Sequence, residues 1–126
     1  MTKDYADELA AWLARAFESS PPPRGIVAYY VGLFESPDGC TAYLTGSREF
    51  DPEDDEWACN DDYAPDEKYF ALPERINGPR DCRRVERRVV RAVETFLAAP
   101  ENAGSFLNRA SAVAVGFDGD DLVRVR

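Results

Sequence analysis

Histidine is absent from all 126 residues of the chain. Its absence removes the commonest general base, the usual serine or cysteine triad and the commonest metal ligand. Cysteine is scarce: Cys40, Cys59 and Cys82 are odd in number and show no Cys-x-x-Cys spacing. A disulfide framework or a zinc site does not follow from them, and a reducing, cytoplasmic compartment fits best. No apolar run approaches the roughly 20 residues that span a bilayer. No basic stretch followed by an apolar one opens the chain, so neither a membrane partner nor a secretory signal is expected. Glycine-rich phosphate loops and nucleophile elbows are also missing. Basic surplus is lacking too. The formal net charge is −9, and binding a phosphate backbone needs a dominant basic surface, so nucleic acid is not an expected partner.

What is present is the composition of one ordinary globular domain, residues 1–126. The 44% apolar and 31% charged fractions are too rich in core formers for a disordered chain. The charge is concentrated in one place. Between Glu49 and Glu67 stand Glu49, Asp51, Glu53, Asp54, Asp55, Glu56, Asp61, Asp62, Asp66 and Glu67, with no basic residue among them. This stretch therefore carries −10, and everything outside it sums to about +1. Phe50, Trp57 and Tyr63 are interleaved with the acids.

Taken in order, the chain predicts α-β-β-(β)-α-β-β. Tyr5, Leu9, Trp12, Leu13, Ala16 and Phe17 form one apolar stripe of a helix from Asp4 to Ser19. Thr2 or Asp4 would cap it, and Pro21-Pro22-Pro23 follows its end. Gly25 to Phe34 is β-rich and apolar on both faces, the pattern of a central strand. A turn over Glu35–Gly39 returns the chain as Cys40–Thr45, and Gly46 marks a bulge or a strand end. In the acidic stretch, Asp51-Pro52 predicts a helical turn over Pro52–Glu56, and Trp57–Cys59 a short third strand. Lys68–Leu72 fits either a strand or a helix, and Arg75–Pro79 reads as a loop. A long helix runs from Pro79 to about Ala98. Cys82, Val85, Val89, Ala92, Val93 and Phe96 share one arc, with Leu97 at its edge, and six arginines (80, 83, 84, 87, 88 and 91) lie opposite. Ser105–Arg109 suits one helical turn. Ala112–Phe117 and Leu122–Val125 flank an Asp-Gly turn, the clearest hairpin signal in the chain. The fold class is α+β, with an antiparallel or mixed sheet of about 4–5 strands and two main helices.

Four uses of the acidic stretch are compatible with its composition. It could be a solvated loop. It could be a docking surface for a basic protein, with carboxylates for steering and aromatics as anchors. It could clasp the arginine face of the second long helix. Or it could hold a divalent cation, although Glu56 stands where a calcium loop needs glycine and no glutamate stands at the twelfth position. Trp57 is either a plug that ties the stretch to the core or a contact residue. The docking reading assigns partner binding to Asp51, Glu53, Asp54, Asp55, Glu56, Trp57, Asp61, Asp62 and Tyr63, with no catalytic residue, cofactor or metal. Glu86, at the edge of an apolar arc, would suit a general acid or base if buried. It supports an alternative, an enzymatic or small-molecule domain with a pocket between sheet and helices that includes Tyr29, Tyr30 or Tyr43. A structural or oligomeric subunit, paired through a strand or a sheet face, is the third reading.

In size, charge and acidic-aromatic segment the whole chain resembles the small acidic immunity-type proteins encoded beside bacterial toxin genes. The resemblance implies a non-catalytic, toxin-neutralising binding protein whose basic partner is the toxin. It is one of type, and carries no residue role from one protein to another.

Overall fold

A computed structural model describes residues 6–37, 39–72, 79–117 and 122–126. Its elements are α1 (Ala6–Ser19), β1 (Ala28–Ser36), β2 (Gly39–Ser47), β3 (Tyr69–Leu72), α2 (Pro79–Ala98), α3 (Phe106–Arg109), β4 (Ala112–Phe117) and β5 (Val123–Arg124). Two short 3₁₀ turns, Asp55–Cys59 and Pro100–Asn102, lie between them. The five strands form one mixed sheet in the order β3-β2-β1-β4-β5. β1 and β2 make a long antiparallel hairpin, and β4 lies parallel to β1 on its other side. The parallel pair is possible because α2 carries the chain from the β3 edge back across the sheet.

β1 occupies the centre of the sheet, as its doubly apolar sequence predicts. Its alternate residues serve two different layers. Tyr29, Val31 and Leu33 join Cys40, Ala42 and Leu44 of β2 and Val113, Val115 and Phe117 of β4 on the front face. Against them pack Leu9, Trp12, Leu13, Ala16 and Phe17 of α1 and Val85, Val89, Ala92, Val93 and Phe96 of α2. These are the apolar stripes expected of the two helices, and the arginines at 80, 83, 84, 87, 88 and 91 are all exposed. Ala28 and Tyr30 of β1 point the other way. With Ala112 and Ala114 of β4 they form a second, smaller cluster on the back face, closed by Trp57 and Ala58.

Several expectations are refined. The undecided Lys68–Leu72 stretch is the edge strand β3, where Tyr69–Leu72 pair antiparallel with Cys40–Tyr43. Ser105 caps α3, its hydroxyl accepting from the Asn108 N–H. The last hairpin pairs antiparallel, with β5 reduced to two residues. The third strand expected at Trp57–Cys59 does not form. Those residues are in the 3₁₀ turn, and the turn expected over Pro52–Glu56 is displaced onto Asp55–Cys59. The physical reason lies in the aspartates. Asp51 Oδ1 accepts from the Glu53 N–H at 2.9 Å and Asp54 Oδ1 from the Glu56 N–H at 3.0 Å. Two successive carboxylate caps draw the backbone into turns, and one tryptophan cannot outweigh them. The expected caps Thr2 and Asp4, the Arg75 loop and the Asp-Gly turn of the last hairpin lie outside the described residues.

Candidate functional site: an acidic cover on the back of the sheet

The acidic stretch leaves β2 at Ser47, and this serine fastens it. Its hydroxyl donates to the Glu49 carbonyl at 2.8 Å and accepts from the Glu49 N–H and from Asn60 Nδ2, each at 3.0 Å. Both ends of the first half of the stretch are thus tied to one buried side chain. Between them the chain crosses the back face. Trp57 is buried there, and its ring meets Phe50 edge-on at 5.5 Å. The Arg124 guanidinium, from the far edge of the sheet, lies 4.8 Å from the centre of the Phe50 ring. The aromatic pair is an apolar plug that fixes the stretch on the sheet.

The second half wraps round the β2 edge to the front. Tyr63 bridges Gly46, each donating its N–H to the other's carbonyl, at 2.8 and 3.1 Å. The ring of Tyr63 is buried between Phe17 and Tyr29, and its hydroxyl donates to the Ser20 carbonyl. Burial, reinforced by the nearby Asp66 carboxylate, pushes the Tyr63 hydroxyl up to about 12. Tyr29 is raised further, first by burial and then by Tyr63, with Arg109 opposing. The stretch ends on α1: Trp12 Nε1 donates to the Glu67 carbonyl at 2.7 Å, and Arg15 Nε pairs with Glu67 Oε2 at 3.1 Å.

This geometry separates the expected site residues into two kinds. Asp51, Glu53, Asp54, Asp55, Glu56, Asp61 and Asp62 are exposed. Trp57 and Tyr63 are about 6% exposed each, so they serve as the plugs that position the carboxylates. The same arrangement bears on the clasp reading. The first half of the stretch covers the back of the sheet while α2 packs on the front. Among the described residues no ion pair joins its carboxylates to an α2 arginine. Its one ion pair is Arg15–Glu67, and Arg84 pairs within α2 with Asp81 at 3.4 Å. Among the described residues no group of acidic or cysteine side chains is arranged to hold a metal ion. Several carboxylates are engaged with backbone instead, as with Asp51 and Asp54 above and Asp62, whose Oδ2 accepts from the Arg48 N–H at 2.9 Å.

Concave surface follows the stretch. A crevice of about 590 Å³ is lined by Glu49, Asp51, Asp54 and Glu56 around Phe50 and Trp57. A second, of about 280 Å³, adjoins it across Cys59 and is lined by Phe34, Tyr43, Thr45, Asp61, Lys68 and Tyr69. A third, of about 250 Å³, lies on the other side of the molecule between Pro22–Ile26, Tyr29 and Arg109. Glu86 lines none of these three and is half-buried on α2. Of the tyrosines that the pocket alternative names, Tyr30 donates its hydroxyl to the Gly116 carbonyl at 2.9 Å on the back face, away from the helices. The aromatic crevice around Tyr43 is the feature that sequence reasoning missed. Its signal was alternation: Phe34, Tyr43 and Tyr69 occupy the back-facing positions of three adjacent strands.

Comparison of the chain with protein-family models, with curated proteins and with solved structures gives no match in any of the three.

Proposed function

We infer that the protein is a non-catalytic binding protein of the cytoplasm whose acidic back surface docks on a basic protein, in the manner of an immunity-type protein that neutralises a toxin. One observation carries this reading: seven carboxylates stand exposed on a cover that Phe50, Trp57 and Ser47 fasten to the sheet. A merely solvated loop needs no such fastening. Fixed carboxylates around a crevice with an aromatic floor suit an entering arginine or lysine, which gains both ion pairing and contact with a ring face. The field of a −10 segment also steers a basic partner towards this face and speeds encounter. The basic face of α2, on the other side of the molecule, leaves these charges available.

A pull-down from the native host tests the proposal, with wild-type protein and the Asp54→Lys/Asp55→Lys variant as parallel baits. The expected result is a basic protein retained by the wild type and lost from the variant. Equal retention by both baits contradicts it.

A further inference from the structure

The second crevice has a construction of its own. Phe34, Tyr43 and Tyr69 form a triangle of rings whose centres are 6.0, 6.2 and 6.5 Å apart, with interplanar angles of 44°, 87° and 58°. Phe34 and Tyr69 meet edge to face, and the rings of Tyr43 and Tyr69 flank a shared space. Tyr43 lies directly over Gly32, where any Cβ would fall 2.1 Å from the ring, so this floor depends on glycine at that position. The Lys68 ammonium already occupies the space, 5.3 Å from the centre of the Tyr69 ring and 5.8 Å from that of Tyr43. Among the described residues it makes no ion pair. Asp61 also lines the crevice. So does Thr45, 4% exposed, and its Oγ1 is the one buried side-chain oxygen among the described residues with no hydrogen-bond partner. Buried hydroxyls are rarely left unpaired. Tyr69, by contrast, is 55% exposed, the one large hydrophobic side chain among the described residues left so open.

We propose that this crevice is a binding site for an alkylammonium group, with the chain's own Lys68 acting as a resident stand-in that an incoming cation displaces. The rings of Tyr43 and Tyr69 supply the attraction for a cation, with Phe34 packed beside them, and Asp61 supplies a carboxylate. Thr45 Oγ1 supplies an acceptor, which calls for a cation that keeps at least one N–H. An anion held by Lys68 is the opposite reading, and the surrounding charge disfavours it, since the site lies within the −10 stretch and its flank. Lys68 sits on a flexible stem at the mouth and can swing into solvent, so it weakens the site without closing it. The group could be a free amine or the end of a lysine on a partner protein. The chemistry is the same for both.

The test is an amide NMR titration of the full chain with n-butylammonium chloride, at ionic strength matched with sodium chloride. Sodium benzoate serves as the anionic probe. Lys68→Ala removes the competitor, and should tighten butylammonium binding by about two- to fivefold, with shifts centred on Thr45, Tyr43 and Tyr69. Tyr69→Ala, at an exposed position, and the near-isosteric Thr45→Val should each weaken binding in the Lys68→Ala background. Nα-acetyl-lysine amide is the second cation. A response equal to that of butylammonium assigns the site to free amines, and a stronger one assigns it to a lysine side chain. Absence of a saturable response in the Lys68→Ala protein overturns the proposal. So does benzoate binding that Lys68→Ala abolishes. Neither probe requires the basic partner, so failure here leaves the docking reading standing, and failure of the pull-down leaves this site standing.

Discussion

The two faces of this sheet are covered by opposite means. The front is closed by two helices whose apolar stripes bury against β1, β2 and β4. The back is closed by a strap whose exposed residues between Asp51 and Glu56 are proline or acids, and which holds on through Trp57, Ala58 and Phe50. The front cover is a continuous apolar core. The back cover is a few apolar anchors under a charged outer surface. One sheet can serve both because β1 alternates between them, with Tyr29, Val31 and Leu33 facing the helices and Ala28 and Tyr30 facing the strap. The difference teaches a division of labour: the front supplies stability, and the back presents charge at little cost to the core.

The largest expected effect lies on the front. Trp12 is fully buried, stacks on Phe70 at 5.4 Å and donates to the Glu67 carbonyl. Trp12→Ala should destabilise by about 3–5 kcal/mol in urea unfolding, enough to threaten the fold of a small domain. The matching change on the back should do less. Trp57→Ala should lower stability by roughly 2 kcal/mol, because Phe50 and the strap can settle into the space. Its amide exchange should rise first over residues 49–60 while β1 stays protected. Equal losses from the two tryptophans would contradict the division of labour.

Smaller effects sharpen the comparison further. Ser47→Ala removes the hydroxyl that ties Glu49 to Asn60 and should lower stability by about 1 kcal/mol, read as a shift of the urea midpoint with an unchanged slope. High pH should weaken the front. Tyr63 and Tyr29 both have raised hydroxyl pKa values when folded, while the unfolded chain ionises near its ordinary value of 10.0. The folded state therefore keeps protons that the unfolded state releases. The contribution of these tyrosines is full below about pH 10 and declines as the pH rises towards about 12. Urea midpoints at about pH 8 and about pH 11 should differ in that direction, and Tyr63→Phe should reduce the difference.

Much of the front was legible in the sequence. The stripes of α1 and α2, the central place of β1 and the last hairpin all follow from apolar spacing, which burial alone enforces. The back was legible in its charge and in Trp57 as one of two readings, a plug or a contact residue, but not in its backbone. Trp57 reads as a strand residue when β propensity is weighed alone. Asp51 and Asp54 override it by capping the backbone, and capping depends on local geometry that composition does not reveal. The position of the strap was hidden for another reason. The arginines of α2 and the acids of the stretch invite pairing on charge alone, but the sheet stands between α2 and the first half of the stretch, and only topology shows that. Phe34, Tyr43 and Tyr69 are far apart in sequence, and strand register alone assembles them into one crevice.

The claim that matters most is that the acids of the back cover form a working surface. The direct measurement is the association rate of the retained basic partner with wild-type protein and with Asp54→Lys/Asp55→Lys, at about 0.05 M and about 0.5 M sodium chloride. The charge reversal also removes the Asp54 cap from the Glu56 N–H, and should lower urea stability by about 1 kcal/mol without unfolding the domain. The wild-type rate should fall steeply with salt, and the variant should associate slowly at both concentrations. Equal rates for the two proteins, with no salt dependence, would contradict the account.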